Sequence, residues 1–432
     1  MSVLKIHHLG PITDCEINIK DFTILTGPQA SGKSTVAKAI FFFRTAKQDF
    51  YDQLTTFSAD EYHSTLEKDL KKRLRSKFIQ IFGTSWAMPQ DMRISYEFSH
   101  WVTISVYLSE DRYRNQRNFV DFEFDEKIRD FIEKYKDYEK VQWDEDRLQS
   151  LKAELAQLFS DPYEIVYVPA GRSMITLLSD QLTEMLAGET IHTLDYCMRS
   201  YIRTIVSTRR KIGRGLEELL DTTLHTTQKK INREALAHLM TRINLILHAH
   251  YTYREGEERL ILPNGHYVKL NLASSGQQES VWVLNLLYVF LLENKKVFLI
   301  MEEPEAHLYP DSQKYIVEAL ALFARRGNPV LLTTHSPYIL GQLNNQLFAG
   351  ELESKTDGEE ERKRLHAILP ADVYLNPDET MAYHVINGVL NNAVDEGLIR
   401  NELIDGVSQV INREMDALID ISWDMEERHA GE

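Results

Sequence analysis

The chain has 432 residues, 43% of them apolar and 26% charged, and no apolar run reaches the roughly 18–20 residues that a membrane span needs. The N-terminus reads as a charged strand, which excludes an apolar signal core, and two cysteines make a disulfide framework untenable, so the composition predicts a cytoplasmic globular protein. The formal net charge is −16, but residues 351–432 hold 20 acidic and 7 basic side chains, or −13, and the rest of the chain gives no indication of a broadly basic surface for nucleic acid.

The first 45 residues alternate short apolar runs with turns. Runs at 3–9, 15–19 and 22–26 predict strands, and the pattern at 35–44 predicts a helix that follows a glycine-flanked loop. This order of strand, loop and helix is the context that a phosphate-binding loop requires.

Residues 46–254 form a long and charged insertion. Helical patterns lie at 64–81 and 145–159, alternating residues at 93–108 predict antiparallel strands, and a second helical block follows 163–170. Sustained heptads are missing, so we expect a mainly helical lobe with a few strands and not a coiled-coil arm.

Residues 255–350 return to alternating strands and helices. Two apolar runs flank Asn264 and Gly265, a pair that favours a hairpin turn, and a helix, a strand, a helix and a strand follow between 279 and 333. Such alternation predicts an α/β fold in which a mixed sheet is flanked by helices. We therefore expect a discontinuous head domain, 1–45 and 255–350, and an acidic helical tail at 351–432.

The loop after the third strand fits the phosphate-binding pattern G-x-x-x-x-G-K-[ST]. Its glycines let backbone N–H groups close around phosphates, the lysine supplies a point charge for the β- and γ-phosphates, and the serine hydroxyl is a ligand for Mg²⁺. The cofactors predicted are ATP and Mg²⁺, and the predicted contacts are Gly27, Pro28, Gln29, Ala30, Ser31, Gly32, Lys33, Ser34 and Thr35.

An apolar strand that ends in two carboxylates supplies the next candidate residues. Glu302 stands where an acidic residue reaches Mg²⁺ directly or through water, and Glu303 is the candidate base that orients or deprotonates the attacking water. Alone, such a strand end is equally well a solvated terminus, but its place downstream of a phosphate-binding loop favours the catalytic interpretation.

Two further motifs depend on their order in the chain. A second apolar strand ends at His335, whose imidazole is placed to sense or polarise a γ-phosphate. Before the acidic strand, Ser275, Gly276 and Gln277 open a helix with hydroxyl groups and free backbone donors, which suits an anion and equally suits plain capping.

In this order the motifs resemble the ABC-type ATPase heads of the SMC and RecF class. The run 302–310, with glutamate at its first acidic position, is particularly similar to the bacterial OLD-like ATPases. The resemblance implies that Ser275 and Gly276 contact ATP held by the phosphate-binding loop of a second copy. The chain departs from the usual Leu-Ser-Gly-Gly-Gln signature at its first residue and second glycine.

The same resemblance assigns three more positions. Residues 305–308 would be a D-loop that touches the opposite head, with His307 structural, and Arg172 would either reach phosphates or the facing subunit or be a surface arginine. The Q-loop glutamine stays open between Gln80 and Gln90.

Members of the OLD family carry a Toprim nuclease domain built on an Asp-x-Asp pair, and no such pair occurs after His335. Size and motifs are similar to the ATPase component of the PARIS anti-phage system, the AriA family. The resemblance implies a homo-oligomeric ATPase that senses a phage-encoded trigger protein and controls a separately encoded Toprim-type nuclease.

A DNA-repair ATPase similar to RecF is the alternative. Basic runs at 68–77 and 199–214 would then contact DNA, although each also suits the solvated face of a helix. A transporter subunit is disfavoured by the size of the insertion.

Overall fold

A computed structural model describes residues 2–56, 65–111, 116–137, 143–178, 181, 188, 193–213, 215–226, 231–254, 256–400 and 402–430. The strands within this part of the chain are β1 Ser2–Leu9, β2 Ile12–Ile19, β3 Phe22–Thr26, β4 Arg93–Ser99, β5 Val102–Asp111, β6 Gln116–Phe124, β7 Glu164–Val168, β8 His250–Arg254, β9 Glu257–Ile261, β10 Tyr267–Lys269, β11 Val297–Glu302, β12 Val330–Thr334, β13 Thr380–Ile386, β14 Val389–Asn392, β15 Val394–Asp395 and β16 Leu398–Ile399.

The α-helices of the same residues are α1 Lys33–Arg44, α2 Ala46–Thr55, α3 Leu66–Phe82, α4 Glu126–Lys134, α5 Glu145–Leu158, α6 Ser173–Leu177, α7 Tyr196–Ile212, α8 Leu216–Thr226, α9 Arg233–Leu247, α10 Ser275–Leu292, α11 Pro310–Arg325, α12 Pro337–Lys355, α13 Glu359–Ile368 and α14 Glu402–Ala430. No helix within these ranges is long and apolar enough to cross a membrane.

Eleven of the described strands form one large sheet, in the order β6-β5-β4-β1-β2-β14-β13-β3-β12-β11-β7, and the others form the small sheets β10-β9-β8 and β15-β16. From β13 to β7 all neighbours are parallel, and β3, β11 and β12 are buried along their whole length. A strand that is buried on both faces of a sheet consists of consecutive apolar residues. Such runs predict the parallel strands of this sheet from the sequence. The prediction of an α/β fold with a mixed sheet is confirmed.

Alternate residues of β11 serve two separate cores. Leu299 and Met301 belong to a cluster that includes helix α10, whereas Phe298 and Ile300 belong to a cluster built on helix α1 and the antiparallel strands. Because side chains alternate along a strand, one strand joins both layers. Its acidic end is therefore held from both faces of the sheet.

Residues assigned to the insertion also extend the central sheet. Strands β4 to β6 continue it from the edge of β1, and β7 pairs in parallel with β11. The strands predicted at 93–108 are present, but they are part of the head's sheet because β1 leaves one of its edges free to pair.

The prediction of an acidic helical tail at 351–432 is wrong for four described strands, β13 to β16. Strand β13 pairs in parallel with β3, and β14 pairs with β13 and β2, so the tail closes the gap in the middle of the sheet. The buried β3 would otherwise leave a row of backbone groups without partners. Helices α12, α13 and α14 account for the part of the segment that is helical.

The hairpin predicted around Asn264 and Gly265 is present between β9 and β10. Its turn is longer than two residues, since the Leu262 N–H donates to the His266 carbonyl at 2.8 Å and leaves three residues in the loop. Gly265 has φ of 81°, a left-handed conformation that glycine adopts without strain.

Candidate nucleotide-binding site

The glycine-flanked loop joins the C-terminal end of β3 to the start of α1. Gly27 and Gly32 have φ of 141° and 107°. A Cβ atom at Gly27 would lie 2.3 Å from the Val385 carbonyl oxygen, and one at Gly32 would lie 2.5 Å from Cδ1 of Ile12. Both positions therefore need glycine, and the loop has the strand-to-helix setting that binds phosphate.

Lys33 opens α1 and points back into the loop. Its side chain is 6% exposed, and its Nζ donates to the carbonyl oxygens of Gly27 at 2.8 Å and Pro28 at 2.7 Å. Burial lowers the pKa of this ammonium group, and the charges of Glu303, Glu305 and Glu302 oppose that shift. An ammonium has three N–H donors, so one remains for an anion.

The outer rim of the loop is open. Pro28, Gln29, Ala30 and Ser34 are exposed, and Ala30 adopts φ of 60° without being glycine. Exposed side chains around a buried lysine leave the backbone donors of the loop accessible to a ligand.

Glu302 ends β11 inside the protein. It is 5% exposed, and its Oε2 accepts from the Ala170 N–H at 3.2 Å. Its Oε1 is buried and has no hydrogen-bond partner among the described residues. The Tyr167 hydroxyl lies nearby but outside hydrogen-bond geometry, and burial followed by the Glu302 charge raises the pKa of that phenol. A buried carboxylate oxygen without a donor suits a cation.

Glu303 follows in a strained conformation. Its φ of 43° is left-handed, which is costly for glutamate. Its N–H donates to the Thr333 carbonyl at 2.9 Å, so the neighbouring strand β12 fixes the turn, while the side chain is partly exposed. The hydrogen bond to β12 therefore sets the chain direction here, and the carboxylate lies on the same side as His335.

Arg172 holds the backbone of both glutamates. Its Nη1 donates to the Glu302 carbonyl at 2.8 Å, and its Nη2 donates to the Glu303 carbonyl at 3.1 Å. Its Nε donates to the Glu279 carbonyl at 2.9 Å and lies 3.3 Å from that residue's Oε2. At 2% exposure Arg172 is not a surface residue, and it ties helix α10 to the acidic strand end.

The Glu305 carboxylate accepts hydrogen bonds from Thr334 and His335 at the end of β12. Its Oε1 accepts from the Thr334 hydroxyl at 2.7 Å and from the His335 N–H at 2.9 Å. Nδ1 of His335 lies 3.5 Å from that oxygen and 3.9 Å from Oε1 of Glu303. The structure therefore places Glu303 and His335 near each other and beside the buried Glu305, a residue of the segment predicted to touch the facing head.

The serine-rich start of α10 is a capping box. The Ser274 hydroxyl accepts from the Gln277 N–H, and the Gln277 side chain accepts from the Ser274 N–H at 3.1 Å, while Ser275 is exposed. A Cβ at Gly276 would lie 2.7 Å from the His307 carbonyl oxygen. The helix start thus packs on the segment 305–308 of its own chain, and both belong to one face.

One further residue at the loop escaped the sequence reading. His384 on β13 pairs in register with Thr26, the residue before the loop. Its Nδ1 is buried without a hydrogen-bond partner among the described residues, and burial and the Lys33 charge lower its pKa. Nothing in the sequence marks this histidine, because only the pairing of distant strands brings it here.

The two glutamines proposed for the Q-loop have ordinary surroundings. Gln80 is exposed on α3, where its amide oxygen accepts from Arg199. Gln90 is exposed in the turn before β4. The role of a Q-loop glutamine stays a prediction for both.

A family model described as "AAA ATPase domain" matches residues 1–340. A search of the curated proteins finds no match. Three solved structures are similar at 13% identity: a Smc head bound to the C-winged helix domain of ScpA (90% of this chain, 95% of that chain, TM-score 0.42), the SMC head domain from Thermotoga maritima (91%, 98%, 0.37) and a Smc head with an extended coiled coil bound to the C-terminal domain of ScpA derived from Pyrococcus furiosus (98%, 100%, 0.39).

Proposed function

The chain belongs to the AAA ATPase domain family, and from that premise we propose that it hydrolyses Mg²⁺-ATP in a site that two copies complete together. Membership of the family implies nucleotide binding. The observation that supports the loop as the binding site is the buried Lys33, whose charge interacts with those of three glutamates, in a loop where Gly27 and Gly32 leave no room for a Cβ atom.

Within one chain, different residues would bind the phosphates and the Mg²⁺ ion. The backbone N–H groups of the loop and the Lys33 ammonium bind the phosphates. Ser34 and Glu302 would hold Mg²⁺, and the partnerless Oε1 of Glu302 fits that ligand set. When bound, the ion neutralises charge on the phosphate oxygens.

Glu303 is the proposed base. Its carboxylate would accept the proton of the water that attacks the γ-phosphorus. The bond between that phosphorus and the bridging oxygen would then break, and ADP would leave with the electron pair of the broken bond. His335, 3.9 Å from Glu303, would donate toward a γ-phosphate oxygen. Arg172 holds the glutamate's backbone and does not itself touch ATP.

The second half of the site would come from another copy. Ser275 is exposed at the start of α10, and the same face carries two large exposed side chains, Leu272 at 73% and Tyr309 at 74%. Exposed apolar groups around a donor-rich helix start are typical of an interface. Ser275, Gly276 and Gln277 are therefore proposed to contact the γ-phosphate of the facing copy.

Mixing two inactive variants tests the shared site. Lys33→Ala removes charged hydrogen bonds to phosphate, each worth about 1.5–3 kcal/mol, and should abolish ATP binding. Ser275→Arg should bind ATP but block closure. A mixed dimer has one intact site, formed by Lys33 of one chain and Ser275 of the other, so the mixture should hydrolyse ATP although neither variant does. If the mixture stays inactive while both variants are folded, the shared site is wrong.

We further propose that the ATPase senses a phage trigger and controls a separately encoded effector, such as a Toprim-type nuclease, as in the OLD-like and AriA families. Helix α14 supports the proposal of a protein partner, because six of its apolar side chains are exposed and do not pack in either core. They are Val410, Ile411, Met415, Leu418, Ile419 and Ile421. The helix carries eight acidic and two basic residues, which disfavours self-association and favours a basic partner.

Co-purification tests the effector. The product of the neighbouring gene should bind the wild-type chain and lose binding to Leu418→Asp, with Asp416→Asn as the surface control. Equal recovery with both variants, or no bound neighbour at all, would count against this partner.

The RecF-like alternative is not favoured by the basic runs. Lys77 is buried against Asp49, Arg73 pairs with Asp52 at 2.6 Å, and Lys211 pairs with Glu293 at 2.6 Å. Positive charges engaged by carboxylates bind phosphate poorly. ATP-dependent binding to duplex DNA that falls steeply with salt would revive this function.

A further inference from the structure

We propose that His7, His8 and Asp91 form a site for a divalent transition metal such as Zn²⁺, at the hairpin that supports the phosphate-binding loop. Within the described ranges these residues are the group of His, Cys, Asp or Glu whose ligand atoms all lie within 4.8 Å of one another. The site is separate from the proposed Mg²⁺ ligands.

A left-handed backbone conformation at His8 brings the two imidazoles together. In the β1–β2 ladder His7 pairs with Asp14 and Leu9 with Ile12, and His8 has no partner in that register. Neighbouring residues of a regular strand point to opposite faces, but His8 has φ of 51°, and its ring centroid lies 4.1 Å from that of His7.

The ligand spacing matches a tetrahedral ion. Oδ2 of Asp91 lies 2.9 Å from Nδ1 of His8 and 3.5 Å from Nε2 of His7. Ligands about 2.0 Å from Zn²⁺ at tetrahedral angles are about 3.3 Å apart. The three atoms can therefore share one ion with small side-chain rotations, and solvent completes the coordination.

A second carboxylate supports the orientation of His7. Nδ1 of His7 lies 3.7 Å from Oδ2 of Asp14, on the side of the ring away from Asp91. A metal-bound histidine usually donates its other N–H to a carboxylate, which fixes the tautomer. The nearby cation Arg93 is engaged by Glu123 at 2.8 Å, so its charge is directed away from the site.

The donor set selects the metal. Two imidazole nitrogens and one carboxylate oxygen suit Zn²⁺, Co²⁺, Ni²⁺ or Cu²⁺, whereas Mg²⁺ prefers oxygen ligands and retains its water. Millimolar Mg²⁺ in an ATPase assay should therefore not displace a transition metal from this site.

The position of the site gives it a structural consequence. The turn after His8 packs on the phosphate-binding loop, since a Cβ at Gly32 would lie 3.1 Å from Cγ of Pro11. Thr13 also bonds the Gly388 carbonyl through its N–H at 2.9 Å, so the hairpin joins the loop to the tail strands. An ion that links β1 to Asp91, in the turn before β4, would stabilise this junction.

Cobalt binding is the direct test. Titration of the full chain with Co²⁺ in excess Mg²⁺ should produce tetrahedral d–d absorption, which Zn²⁺ displaces, and Zn²⁺ should raise the melting temperature. His8→Asn keeps a residue that tolerates positive φ but removes the imidazole, and Asp91→Asn removes the carboxylate. Each should weaken Co²⁺ binding by at least about 10-fold.

The control is His266→Asn, which removes an exposed histidine from another hairpin. It should bind Co²⁺ as the wild type does. Equal affinity in all four proteins, or no saturable binding by the wild type, would overturn the site. Because the measurement needs no ATP, and Lys33→Ala should bind Co²⁺ normally, its failure is distinct from failure of the proposed ATPase mechanism.

Discussion

At one edge of the sheet, the side chains of Lys33, Glu302 and Glu305 are buried and each is hydrogen-bonded within its own chain. At the start of α10, Ser274 and Ser275 are exposed, and their only described support is helix capping and the packing of Gly276 on the segment 305–308. The first region is complete in one chain, whereas the second presents donors outward. We therefore expect nucleotide binding to depend on the first region and assembly of two copies to depend on the second. Variants in one region should leave the function of the other intact.

Glu303→Gln should give the largest effect within the first region. The amide keeps the shape but cannot accept a proton, so the hydrolysis rate should fall by about 10²–10⁴-fold while ATP binding persists. Nucleotide-bound dimer should then accumulate, measurable by mass photometry with ATP. The control Glu360→Gln alters an exposed helix residue and should behave as the wild type. Hydrolysis at the wild-type rate would remove Glu303 from the mechanism.

Arg172→Lys should weaken the link between the two regions. Lysine cannot donate to three separated carbonyl oxygens at once, so Glu303 should shift, and a displacement of about 1 Å costs up to about 10²-fold in rate. We expect kcat to fall while KM for ATP changes little. Arg326→Lys, on the surface, is the control. A change confined to KM would instead indicate direct contact with ATP.

Ser275→Arg should affect only the second region. A single chain should bind a fluorescent ATP analogue with wild-type affinity, because Ser275 does not contact its own phosphate-binding loop in the proposed site. ATP-dependent dimerisation, followed by light scattering, should be lost because the long side chain occupies the place of the γ-phosphate. Unchanged assembly would mean that this helix start is capped and nothing more.

His384→Gln should produce the smallest effect, on the pH dependence of stability. The pKa of His384 is below its ordinary value of 6.5, so the unfolded chain binds the proton first. The free energy of unfolding of the nucleotide-free protein should therefore fall as the pH drops below 6.5, because burial and then the Lys33 charge disfavour the protonated ring. Thermal unfolding at pH 7.5 and 5.5 should show a smaller difference for His384→Gln than for the wild type or His266→Gln.

The local motifs were readable from the sequence because their chemistry depends on residues close together in the chain. The loop 27–35 with its flanking strand and helix, the buried strands β11 and β12, and the hairpin near Gly265 are all present. The burial of Arg172 could not be predicted, because a single arginine has no periodic pattern that distinguishes a hydrogen-bonded interior position from a solvated surface position.

What the sequence by itself determined was the α/β class and the order of the phosphate-binding loop, the acidic strand end and the histidine. Only the tertiary structure decided that β13 fills the middle of the sheet, which brings His384 beside Lys33, and that Glu305 turns inward to hold His335. The physical reason is that strand pairing and burial depend on hydrogen bonds between backbone groups that lie far apart in the chain. Residue type and spacing indicate the local conformation of the chain, but they do not identify the distant segments with which it pairs.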